Sequence, residues 1–252
     1  MPSPNFTTTD ELPLISNALL GKLLAALVVL ALLTAGIGLA GRQMGETISL
    51  AGHTASTEVF SVDIGQDRLR LAANTIRFSG QRDSGTAERV DLYLTWPSMD
   101  GYSAATHEIF NDVARPDGLL FLQLSQSTMS RDMSGRLDPI YAHLFAGAPE
   151  PAVAGLTLHR MRDDTSYGSE VILTAARPGQ PDYVVRCVLP ETAQAATSGD
   201  CQRDIRLGQD LSVQYRFSST LLPDWNKIDM AIQTFVDSRL VKTAGTSAEK
   251  RP

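Results

Sequence analysis

Nineteen consecutive residues without a charge, LLAALVVLALLTAGIGLAG from Leu23 to Gly41, lie between Lys22 and Arg42 and constrain this chain more than any other feature. As an α-helix rising 1.5 Å per residue the run is about 28 Å long, close to the roughly 30 Å hydrocarbon core of a bilayer. A core helix of a globular domain carries a polar stripe, and this run has none. A secretory signal has a short basic start and a shorter apolar region before a small-residue cleavage site. Here residues 1–22, with Asp10 and Glu11, come first, although Gly38-Leu39-Ala40 loosely resembles such a site. The sequence therefore predicts a membrane anchor over 23–41, with a cleaved signal as the alternative. Lys22 and Arg42 flank the run symmetrically, so the positive-inside rule hardly orients it. Gly36 and Ala40, and again Gly41 and Gly45, have the spacing that lets membrane helices pack closely. The expected partners at this level are the lipid bilayer and a second copy of the helix, as a homodimer.

About 200 residues remain beyond the anchor, enough chain for one domain with a real core. Hydrophobic residues make up 43% and charged residues 20%, an ordinary globular composition. The net charge is −6, and Asp10, Glu11 and Lys22 account for only a small part of it. An acidic domain lacks the electrostatic footprint for phosphate backbones, so no nucleic-acid partner is expected.

Within the domain the hydrophobic period is two. Val90, Leu92, Leu94 and Trp96 alternate with Arg89, Asp91, Tyr93 and Thr95; Leu211, Val213, Tyr215 and Phe217 alternate with Ser212, Gln214, Arg216 and Ser218. Further strands are predicted at 58–64, 68–71, 74–78, 119–124, 156–161, 170–175, 183–189 and 204–207. Most present one apolar and one polar face, as in an antiparallel sheet solvated on one side. Turn signals such as Asp100-Gly101, Asp117-Gly118 and Leu207-Gly208 separate them. Short helices are predicted at 104–113, capped by Ser103, and at 140–145. A longer one over 223–241 carries Trp225, Ile228, Ile232, Phe235, Val236 and Leu240 as an apolar stripe. The expected fold class is α+β, mainly β: an N-terminal transmembrane helix, then an antiparallel sheet or sandwich closed by a C-terminal amphipathic helix. Its divisions are a cytoplasmic tail over 1–22, the anchor over 23–41, a linker over 42–57, an extracytoplasmic β-rich domain over 58–242 and a disordered tail over 243–252.

Two cysteines bear on the compartment. Cys187 ends a strand-like stretch and Cys201 opens the next one, after a loop rich in Ala, Thr, Ser and Gly. A hairpin there brings the sulfurs together at its base, and a disulfide closing such a loop is worth about 3 kcal/mol. An oxidised pair belongs outside the cytoplasm, and the periplasmic side of a bacterial inner membrane is the expected location. The alternative is two buried thiols in a cytoplasmic domain, because spacing does not establish the geometry a disulfide needs.

Chemistry is sparse. His53, His107, His143 and His159 are far apart, and no HExxH, Cys–His, P-loop, GxGxxG or GxSxG pattern occurs. No catalytic residue, metal or cofactor is expected. Two polar stretches are candidates for a ligand or partner surface. The first is Trp96-Pro-Ser-Met-Asp-Gly-Tyr102, between a strand and a helix, giving Trp96, Asp100, Tyr102 and nearby His107. The second is Ser127–Asp138, giving Arg131 and Asp132. Each has a plainer reading, a tight turn with Trp96 in the core and a solvated face with internal ion pairs.

The anchor together with Asn74-Thr-Ile-Arg-Phe78, Arg89-Val-Asp-Leu-Tyr-Leu-Thr-Trp-Pro97, Asp100-Gly-Tyr-Ser103, Met129-Ser-Arg-Asp-Met-Ser-Gly135 and Asp224-Trp225 resembles a group of uncharacterised single-pass membrane-anchored proteins of alphaproteobacteria. The resemblance runs from about residue 20 to 240 and implies the anchored topology without implying an activity. The expected function is a non-enzymatic accessory or scaffolding protein held at the inner membrane, with another inner-membrane or envelope protein as partner. The alternative is a tethered enzyme or ligand-binding domain acting on envelope glycan or peptide.

Overall fold

A computed structural model describes residues 17–49 and 52–241 of the chain. It divides into two units, a helix and a domain beginning at Gly52. Helix α1 spans Asn17–Ser49, longer at both ends than the predicted 23–41. Within it Leu19–Ile37 is long and apolar enough to cross a membrane, with a mean hydropathy of 2.3 and none of it buried by protein. The tail before Asn17 and the chain after Val241 lie outside the described residues, as do the side chains at Ala40, Gly41 and Gly45 of the expected packing motif.

The chain from 42 to 57 differs from the predicted linker. It is helical to Ser49, and from Gly52 on it is held by the domain. The Gly52 carbonyl accepts from Arg82, the Ser56 carbonyl from the Asn74 amide, and the Glu58 carbonyl from the Ala73 amide.

The domain is α+β and mainly β. Strands β1 (Val59–Ile64) and β2 (Asp67–Ala72) form a hairpin, and the two-residue β3 (Gly85–Thr86) pairs parallel to β1. Eight antiparallel strands make the second sheet: β4 (Arg89–Thr95), β5 (Leu119–Gln126), β6 (Phe145–Pro151), β7 (Thr157–Met161), β8 (Val171–Ala175), β9 (Tyr183–Cys187), β10 (Cys201–Leu207) and β11 (Leu211–Phe217). Their spatial order is β4-β5-β11-β10-β9-β8-β7-β6. Period-two patterning found most of these strands and missed β6, whose sequence FAGAPEP has no alternation and carries a register shift between Ala146 and Glu150. Residues 74–78, predicted as a strand, form a tight turn over Ala73–Thr75 and then a single bridge from Ile76 to Leu92.

The apolar faces of these strands meet in one core with β1, β2 and helix α3 (Trp225–Asp237), which buries Ile228, Ile232, Phe235 and Val236. After α3 the chain turns back onto the β2 edge, where Arg70 and Arg68 pair through their backbones with Arg239 and Val241. Two hairpin tips clasp each other. Asp67 accepts the Gln209 and Asp210 amides, and Asp210 accepts the Gln66 amide and the Gln126 side chain. Gly208 stands at φ +61° with Asp67 Oδ1 2.3 Å from where a Cβ would lie, so only glycine fits that turn.

The large sheet is split in the middle. β9 and β10 pair only at Cys187–Cys201 and Arg186–Gln202, and then part. Residues 133–134 fill the gap: the Met133 amide donates to the Asp204 carbonyl and Ser134 Oγ to the Asp182 carbonyl. Buried backbone groups need partners, and the Val184 carbonyl finds one in Arg203 Nη1 at 2.7 Å. Arg203 is 1% exposed and also donates through Nε to Asp229 of α3, which is fully buried and takes further bonds from Tyr215 Oη, Arg177 and Gln233. Cys187 and Cys201 lie opposite each other and are joined by a disulfide, with Cα atoms 4.1 Å apart. That resolves the two cysteine readings in favour of the pair.

Candidate partner-binding cleft on the sheet face

Alternation that sends apolar residues into the core sends their neighbours to the outer face, and the domain treats that face in three ways. At the β4 end Tyr93 is covered by His53 and by Phe110 of α2 (His107–Asn111). His53 stacks on Tyr102 with ring centroids 4.7 Å apart, accepts or donates at 2.9 Å with Tyr93 Oη, and lies against Phe110. Over β7, β8 and β9 a second small core forms, in which Met133 and Tyr141 cover Ile172, Val184 and Met161. Between these covers the outer face of β4, β5, β11 and β10 stays open.

Three polar rows cross that open face. The register sets Arg186, Gln202, Arg216 and Phe121 abreast. The next row is Asp204, Gln214, Gln123 and Asp91, and the third is Arg206, Ser212 and Ser125. Residues 127–141 rise beside the rows as a wall, and together they enclose a cleft of about 400 Å³ that continues toward Arg77 and Arg216. The wall is tied to the floor: Arg136 pairs with Asp204, and Arg206 donates to Ser127 Oγ and the Met129 carbonyl. Arg186 Nε lies 3.0 Å from Glu170 Oε2 and its guanidinium sits over the Tyr167 ring. Arg77 spans the rings of Phe78 and Phe121.

This geometry sorts the six residues expected to form a ligand or partner surface. Arg131 and Asp132 line the cleft, Arg131 exposed and Asp132 accepting the Gly135 amide. The other four are elsewhere and do not converge. Trp96 packs at the end of the main core, Tyr102 is buried under His53, Asp100 is exposed in the turn after β4, and His107 opens α2 with Nδ1 2.8 Å from the Ala104 carbonyl. Residues 127–138 are also more than a solvated face with internal ion pairs, because Met133 and Arg136 are buried and the Arg136 pair reaches across to β10. The residues missed by sequence reasoning are Arg186, Arg206, Arg216, Gln202 and Gln214. Their signal was present as the polar partners of the alternation, but a polar strand face reads as solvated until something walls it.

Burial, with Arg82 and Arg77 nearby, holds the His53 imidazole below its ordinary value of 6.5, and burial lowers His159 in the same direction. Asp229 is lowered although its burial alone would raise it, because Arg203, Tyr215 and Arg177 favour the carboxylate. Asp210 is lowered chiefly by the Gln66 amide. All four groups bind protons more weakly folded than unfolded, so stability falls as pH falls. The histidines begin this loss as pH drops through about 6.5, and the carboxylates add a second loss below about pH 4. Thermal midpoints measured from pH 8 to 3 should show both limbs. A variant with both histidines changed to Gln should flatten the first and keep the second.

No family model and no curated protein matches this sequence. Among solved structures the chain is similar to Smlt3025, an immunity protein of the Stenotrophomonas maltophilia type IV secretion system. The two share 15% identity and a TM-score of 0.52, over 76% of this chain and 96% of that one. The likeness establishes a common α+β, mainly β fold. The iron-regulated outer membrane lipoprotein FrpD of Neisseria meningitidis aligns at 11% identity and a TM-score of 0.41, over 73% of this chain and 95% of that one.

Proposed function

We propose that this protein is a membrane-tethered accessory protein of a bacterial envelope, whose domain lies outside the cytoplasm and holds a protein partner without transforming it. The observation that carries the reading is the cleft. It is a built polar surface whose carboxylates are already engaged, Asp204 by Arg136 and Asp132 by the Gly135 amide, which suits holding a partner better than acid–base work. The disulfide supports an oxidising compartment, and a helix of membrane length supports the tether. The fold shared with an immunity protein of a secretion system is in keeping with an accessory role.

Two measurements test this. After an alkaline carbonate wash of membranes, the full chain should stay in the pellet, and a chain starting at Gly52 should be released. A full-length chain recovered in the supernatant would remove the tether, and a mature chain beginning near residue 41 would replace it with a cleaved signal. Crosslinking in intact cells followed by mild detergent extraction should then recover a reproducible envelope protein; repeated recovery of none would remove the binding role.

A further inference from the structure

The cleft carries a charge opposite to that of the chain. Six arginines line it and its continuation against three aspartates, in a protein of net charge −6. The aspartates are engaged by Arg136, the Gly135 amide, Gln81 and Arg89, so their charge is already answered. The side chains of Arg131 and Arg216 make no hydrogen bond or ion pair among the described residues, and the Arg77 guanidinium lies over the Phe78 and Phe121 rings.

We propose that the cleft receives an extended acidic peptide segment of a protein partner, lying across the strands with its carboxylates toward Arg131, Arg206 and Arg216. The proposal rests on the binding reading above and names the chemistry of what is bound. Spacing selects a peptide over a small anion. A phosphate or lone carboxylate is gripped by guanidiniums that converge on one point. These are strung out from the wall across β10 and β11 toward Arg77, over strands about 4.8 Å apart, or roughly 15–20 Å in all. An extended peptide of about six residues covers that distance at 3.3 Å per residue. Gln123, Gln202 and Gln214 on the floor carry both a donor and an acceptor, which matches the peptide bond. Tyr167 and Phe121 are half-buried along it and offer ring surface to the stems of its side chains.

The test is peptide selection on the full chain in detergent micelles, using a phage-displayed library of random dodecapeptides. Asp and Glu should be enriched in the selected sequences, and their binding should weaken as salt rises. The double charge reversal R131E/R216E changes two exposed side chains that hold nothing else in place, so its thermal midpoint should match the parent. Selected acidic peptides should bind it at least tenfold more weakly, and peptides with Lys for Glu should bind it better than they bind the parent. Absence of acidic enrichment, or equal binding to parent and variant, would overturn the proposal. So would inorganic phosphate or glycerol phosphate, the phosphatidylglycerol headgroup, if either bound with the same dependence on Arg131 and Arg216. The first outcome would make the cleft a small-anion site and the second a lipid site. A cellular partner still held by R131E/R216E would remove the cleft assignment and leave the binding role intact. Acidic enrichment with no cellular partner would do the reverse.

Discussion

Replacing Asp229 by Ala should destabilise the domain by about 3–5 kcal/mol, the range for removing one member of a buried ion pair. For a domain of this size that is a fall of roughly 6–20 °C in thermal midpoint. Asp229 is fully buried on α3, with Arg203 Nε at 3.0 Å, Arg177 Nη1 at 2.6 Å and Tyr215 Oη at 2.6 Å. Its loss strands the buried guanidinium of Arg203, which has no way to shed its charge. Changing both Arg203 to Met and Asp229 to Leu removes the charges together and should cost less than the two single changes combined. Some cost should remain, because Arg203 also serves the Val184 carbonyl, which the split between β9 and β10 leaves without a strand partner. Urea unfolding of the four chains of this cycle measures the coupling. A negligible effect of D229A would mean that the network is ornamental and that the apolar stripe of α3 suffices to hold the helix.

Removing the disulfide should produce the second large effect. The C187A/C201A chain should be less stable by about 3 kcal/mol, from the chain entropy regained by the unfolded state. The structure adds a local consequence. β9 and β10 are paired at two positions only, and one of them is the cystine itself, so the two halves of the sheet lose a covalent staple at their seam. Hydrogen exchange should therefore speed up at β9, β10 and residues 133–136 before it does in β4 and β5. Both cysteines are 0–1% exposed, so reductant should open the bond in the native protein slowly and quickly once urea unfolds it. A chain whose urea midpoint is unmoved by the double substitution would show that Met133, Ser134 and Arg203 close the seam by themselves.

Much of the fold was legible in the sequence because burial writes a period on it. Val90, Leu92 and Leu94, and Leu211, Val213 and Tyr215, alternate because one side of each strand enters the core. Ile228, Ile232 and Val236 recur at helical spacing for the same reason. β6 escaped because an edge strand with a bulge, Pro149 and Pro151 buries little and needs no pattern. Asp229 is an acid inside the apolar stripe of α3, and a carboxyl buried there needs donors or a cation to meet it, here Arg203, Arg177 and Tyr215.

The candidate site was half legible. Of the six residues expected there, Arg131 and Asp132 line the cleft and Trp96, Asp100, Tyr102 and His107 lie elsewhere, because a polar loop near a strand end gives no indication of which neighbour it packs on. The sequence by itself determined a membrane-length apolar helix and an antiparallel α+β domain with one polar sheet face, since hydrophobic period is a local property; it left the cysteine pairing open, and the structure closed it. Only the tertiary structure decided that the sheet splits between β9 and β10, that Arg203 and Asp229 close the split from the core, and that residues 127–141 wall a polar strand face into a cleft. Those outcomes depend on which separate segments fill a gap of a given shape, and contacts between residues on different elements leave no period in the chain.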